Sequence, residues 1–180
     1  MKLVNTTAEI FVSLFGQEGL AMIEQYEGNV YLAKTGQFPQ IEKYGRCGGC
    51  VIPVNPETLT VFGEGTETAL ILYPDFLIED SWNVPEEMRP RYMQSVLVHE
   101  LEHVKQVTEG RMEMVDFGRV IWEGEEQGMD MNLYMQFPWE REAHIAQFTY
   151  LLNNAAQGEQ AYEAMAAQFD AANCGIDQNA

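Results

Sequence analysis

Apolar positions along this chain follow two rhythms, and the places where one gives way to the other mark out the elements. The clearest three-to-four rhythm runs over 90–108. There Met93, Leu97, Leu101 and Val104 form one stripe, and Tyr92, Val96, His99, His103 and Val107 form the adjoining one. This pattern predicts a helix. Asn83, Pro85, Glu86 and Glu87 are start signals ahead of it, Pro90 restarts or kinks it, and Gly110 stops it shortly after Lys105. A looser helical rhythm covers 7–34, through Ile10, Leu14, Leu20, Met22, Ile23, Tyr26, Val30 and Tyr31. Gly16 and Gly19 interrupt it, so one helix or two short ones are expected. From 35 onward Gly, Pro and Asn punctuate short β-rich runs at 50–54, 59–62 and 69–73, which predict a small, mostly antiparallel sheet. Residues 115–120 read as a strand or short helix, and the acidic, glycine-containing stretch 122–128 as a loop. Pro138 suits the first turn of a helix that continues through Ile145, Phe148 and Leu151 until Asn153-Asn154. A last amphipathic helix is expected over 160–172, striped by Tyr162, Met165 and Phe169.

These elements add up to an α+β domain. At 180 residues and 46% apolar composition the chain can bury one sizeable core, so a single domain over 1–180 is expected. Charge narrows the partners. Twenty-eight acidic against ten basic side chains leave a formal net charge of -18, which repels nucleic-acid phosphates and anionic membranes. Neither is an expected partner. No apolar run approaches the ~18 residues of a membrane span, and Lys2 with the interrupted run 10–15 makes a poor signal peptide, so a cytoplasmic location is the expectation. Three cysteines do not make a disulfide scaffold. Cys47-Gly48-Gly49-Cys50 has the spacing of a zinc knuckle or redox pair but no second such pair, and a glycine-rich turn with two thiols is the simpler reading.

The candidate chemistry lies in the 90–108 helix, where His99-Glu100-Leu101-Glu102-His103 holds two of the chain's three histidines. At 3.6 residues per turn His99 and His103 stand one turn apart on one face, so both rings can reach one ion. Glu100 lies about 100° round from His99 and returns towards that face as the i, i+3 neighbour of His103. Two neutral nitrogen ligands and a carboxylate able to take a proton from a water at the ion are the requirements of a zinc hydrolase. Glu102 projects away and is expected to be solvated. A third ligand is still needed, and the helix from Pro138 offers Glu140, Glu142 and His144. Glu140 and His144 share a face, whereas Glu142 is about 200° from Glu140, so the two carboxylates cannot both point at one ion. Tyr134, just ahead of that helix, is a candidate for stabilising an oxyanion.

His99-Glu100-x-x-His103 followed by Glu140-x-x-Ala143 on a later helix resembles the gluzincin branch of the zinc metallopeptidases, in particular the minigluzincins and the ImmA/IrrE-like peptidases. The likeness covers roughly residues 69–152. It implies a compact zincin-like domain in which a short sheet packs on the motif helix, Zn²⁺ is held by His99, His103 and Glu140, and Glu100 is the general base for cleavage of a peptide or protein substrate. Relatives often carry Asp or Asn where this chain has His144, which is therefore expected to support the site from outside the ligand set, or to be the third ligand itself. The resemblance also implies an apolar edge strand beside the motif helix, and 69–73 occupies that place in sequence. Such a strand can hold an extended peptide by main-chain pairing, or be an ordinary core strand. The alternative to a peptidase is a zinc-binding interaction module that uses the same residues without turnover.

Overall fold

In a computed structural model of the chain, the structure describes residues 7–26, 29–34, 49–63, 65–66, 68–73, 89–116 and 118–154. The start signals before the motif helix, Cys47 and the helix expected over 160–172 lie outside them. The described chain is a small mixed α+β fold of helices and two three-stranded sheets.

Two short helices open it, α1 (Thr7–Phe15) and α2 (Glu18–Glu24), as the pair of glycines implied. Gly16 takes a left-handed φ of 65° at the break. Gly19 then lets α2 pack directly on the backbone of Phe11. The helical reading fails beyond this point. Residues Val30–Lys34 form strand β1, because Val30, Leu32 and Ala33 are all buried and a half-covered Tyr31 alternates with them. Strand β2 (Cys50–Val54) and strand β3 (Thr68–Tyr73) follow.

The first sheet has the order β1-β3-β2, with β1 parallel and β2 antiparallel to β3. It is therefore mixed. Two expectations change here. The strand over 59–62 is reduced to a single bridge between Val61 and Val54, since Leu59 and Phe62 hold left-handed φ values of 59° and 52° that break an extended run. The apolar strand expected to be an edge is instead central: both sides of β3 are occupied by β1 and β2, so its main chain has no groups left for a peptide.

The motif helix α3 (Arg89–Thr108) matches its expected span closely. Leu97, Leu101 and Val104 pack with Val51, Ile71, Leu32, Phe11 and Ile23 into one core between the helix, the sheet and the first two helices. Gln94 ties this layer together. Its amide donates to the Leu14 carbonyl, and its oxygen accepts from the Tyr150 hydroxyl at 3.0 Å.

The stretch after α3 contains more strand than expected. Strands β4 (Met112–Asp116), β5 (Arg119–Trp122) and β6 (Glu125–Gly128) form an antiparallel meander. The supposed acidic loop is a two-residue hairpin turn. Trp122 pairs with Glu125, while Glu123 and Gly124 have φ values of 51° and 87°, the double left-handed turn that suits twisted strands. A 3-10 helix (Met131–Gln136) then leads into α4 (Pro138–Asn154).

Candidate metal centre

The site forms where α3 and the first turns of α4 lie side by side. Pro138 starts α4 with its ring where no helical N–H is required. Trp139 anchors that start: it is 1% exposed, stacks on Phe137 at 4.6 Å between ring centroids, and packs with Met112, Val120 and Trp122 of the meander. The next residue is Glu140, whose carboxylate is thereby set facing the motif histidines.

His99, His103, Glu100 and Glu140 are all buried, at 4–6% exposure, which ionisable groups reach only when paired or ligated. His99 Nε2 and His103 Nε2 are 3.1 Å apart. Glu140 Oε2 lies 3.4 Å from the first and Glu140 Oε1 3.5 Å from the second. Ligand atoms about 2.0–2.1 Å from a tetrahedral zinc stand about 3.3 Å from one another, so this triangle has the dimensions of a zinc face. Three buried side-chain atoms here make no hydrogen bond among the described residues, His99 Nδ1, Glu140 Oε2 and His144 Nε2. The second of these is a carboxylate oxygen facing a ring nitrogen, the arrangement an ion would satisfy. His144, one turn beyond Glu140, joins the cluster: a ligand atom from each of His99, Glu140 and His144 falls within 4.8 Å of the others. The donor set of imidazoles and a carboxylate fits Zn²⁺.

The electrostatics describe the metal-free cluster. Burial would lower the His103 pKa, but Glu140, Glu100 and Gln106 beside it outweigh burial and raise it to about 9. Burial would likewise raise that of Glu140, yet the His103 and His99 side chains hold its carboxyl well below the usual carboxylate range. His99 is shifted down by burial, and His144 by burial and repulsion from His99, to about 4. Without metal, then, a buried His103 cation faces a Glu140 anion and the other two rings are neutral.

Behind His103 a chain of hydrogen bonds fixes which ring nitrogen carries the proton. Gln106, fully buried, gives its amide N–H groups to the Trp139 carbonyl at 3.0 Å and to Glu142 Oε2 at 3.2 Å. Both of those atoms can only accept, so it is Gln106 Oε1 that faces His103 Nδ1 at 3.0 Å, and Nδ1 must be the donor. Once the ring is neutral, the form that binds a metal, Nε2 is the atom left with its lone pair towards Glu140 and His99. Glu142 is held in turn by both arms of Arg111, at 2.9 and 2.7 Å, and the Arg111 guanidinium lies 4.6 Å over the Trp122 ring. Glu142 does not point at the cluster, as its position on the helix required. It nevertheless reaches His103 through Gln106, a link that helical spacing could not reveal.

Glu100 sits against the other wall of the site. A Cβ on Gly49 would lie 2.5 Å from Glu100 Oε1 and 2.8 Å from Val96 Cγ1, so the backbone entering β2 can approach the carboxylate only because residue 49 is glycine. Part of the Cys47–Cys50 stretch is thus placed beside the site as backbone. Glu102 is not simply solvated: its carboxylate accepts from Lys105 Nζ at 2.9 Å and its side chain is 18% exposed. Tyr134 lies half-buried in the 3-10 helix that precedes α4.

No helix among the described residues is long and apolar enough to cross a membrane. No family model, curated protein sequence or solved structure matches the chain.

Proposed function

We propose that this protein is a zinc-dependent metallopeptidase of zincin-like design, with His99, His103 and Glu140 as metal ligands and Glu100 as general base. The observation that carries the reading is the triangle of 3.1, 3.4 and 3.5 Å between three buried ligand atoms on two helices. Zinc bound there supplies Lewis acidity, polarising a substrate carbonyl and making a water easier to deprotonate at neutral pH. The protein's own residues do the rest. Glu100, one residue after the first histidine and packed against Gly49, takes the proton of the attacking water and passes it to the leaving amine. Gln106 keeps the His103 lone pair aimed inward. Tyr134 is assigned the developing oxyanion from its place in the chain ahead of α4.

The substrate is read as an extended peptide or protein segment. Gly49, at the entry to β2, brings the backbone against Glu100, so an extended segment laid beside it would pass the general base. Metal analysis together with Glu100→Gln tests the reading. The variant is expected to keep stoichiometric zinc and to lose at least ~100-fold in hydrolysis of unstructured polypeptides, the scale of a lost general base. A wild-type protein without stoichiometric metal would overturn it.

A second reading, a zinc-binding interaction module without turnover, is favoured by one feature: a third imidazole, His144, within reach of the same centre. Sites with four protein ligands are structural more often than catalytic. Chelator-sensitive cleavage that Glu100→Gln abolishes selects the peptidase.

A further inference from the structure

His103 and His144 share an attachment. Each is followed three residues later by a buried glutamine whose Oε1 faces its Nδ1: Gln106 at 3.0 Å and Gln147 at 3.2 Å. For His144 the direction of that bond can be traced from the far end. The Ser95 hydroxyl donates to the Tyr92 carbonyl at 2.7 Å, which uses its only proton. Ser95 Oγ can therefore only accept from Gln147, so at 3.3 Å it is the Gln147 amide nitrogen that donates. The Gln147 oxygen is then the atom facing His144, and His144 Nδ1 carries the proton. Its Nε2 presents a lone pair.

That tautomer excludes one role and fits another. An imidazole with a bare Nε2 cannot donate from that atom to a developing oxyanion, whereas it is the form that binds a metal. Placement agrees. The His144 ring centroid is 4.4 Å from that of His99, nearer than the 4.8 Å between His99 and His103. On α4, His144 stands one turn after Glu140 and shares its face.

We propose that His144 is a fourth protein ligand, so that the loaded centre is held by His99, His103, Glu140 and His144 and is closed at rest. This rests on the reading of the centre as a zinc site and adds its regulation: admitting the hydrolytic water requires His144 to swing away. The brace from Tyr92 through Ser95 and Gln147 holds it in the closed position, so the resting protein is a latent hydrolase.

X-ray absorption on the zinc-loaded protein tests this by counting imidazoles. Three are expected in the wild type and two plus an added light-atom ligand in His144→Ala. Zinc affinity of His144→Ala, read by competition with a chromogenic chelator, should fall by more than the roughly hundredfold that marks loss of an outer partner. Gln147→Met should keep three imidazoles and lose ~10–100-fold in affinity. The wild-type count decides the matter even if a variant fails to fold. Two imidazoles in the wild type overturn the fourth ligand and leave the zinc reading standing, while absence of bound zinc overturns both.

Discussion

At the scale of single residues the centre is a set of decisions about protons. In the metal-free protein the His103 pKa is raised to about 9, so its contribution to stability is complete below the unfolded value of about 6.5 and is lost as pH rises through about 9. Glu140 is shifted the opposite way, and its contribution is present above the unfolded carboxylate value of about 4.3 and is lost as pH falls towards its lowered folded value. The pair therefore supports the metal-free fold best between about pH 5 and 6.5. The thermal midpoint of chelator-treated protein should fall from pH 6.5 to 9.5, and saturating zinc, which takes the place of the His103 proton, should flatten that slope. An unchanged midpoint over this range would mean that His103 is neutral in the fold. What sequence could say at this scale was uneven. The turn between His99 and His103 and the inward face of Glu140 follow from 3.6-residue geometry. The roles of Gln106, Gln147, Ser95 and Gly49 do not, because each depends on a partner far away in sequence. The only sequence trace is the repeated His-x-x-Gln, at 103–106 and 144–147, which becomes meaningful once the amide partners are known.

Among the elements, those with a long apolar rhythm were legible and those defined by pairing were not. α3 and α4 carry their own periodicity and their own stops. β1 does not, because its buried Val30, Leu32 and Ala33 continue the spacing of the helix before it, and only β3 alongside makes it a strand. β6 was hidden for another reason. Glu125, Glu126 and Gln127 are polar because they cover the outside of an edge strand, so no alternation signals it. The turn before β6 is open to test. Gly124 holds φ at 87° with no atom within 4 Å of where a Cβ would be, so Gly124→Ala meets strain alone and should destabilise the fold by about 1 kcal/mol, as read by urea denaturation. Zinc affinity should stay within about threefold, the scale of a distant independent change. A neutral substitution would show that the hairpin turn does not keep this backbone in solution.

For the whole molecule, the important fact is how the two helices of the centre are joined. His103 ends the motif on α3, Glu140 opens α4, and everything between them is the meander with its 3-10 helix. Direct packing already links these parts through Trp139, Trp122 and the Arg111–Glu142 pair. A metal ion bound as proposed would add a second kind of link. By gripping both helices it would close the intervening chain into a loop, as a covalent bridge does, and so would reduce the freedom of the unfolded chain as well as adding contacts to the folded one. Such a staple is removable. Brief chelation should expose the Glu123-Gly124 turn and its neighbours to a glutamyl endopeptidase several-fold faster than in loaded protein, while cleavage within α1 is unaffected. Equal rates with and without metal would mean that the meander is held by packing alone. If the centre is a staple, the supply of zinc sets the lifetime of the protein as well as its chemistry, and a cell short of the metal would clear this chain rather than store it inactive.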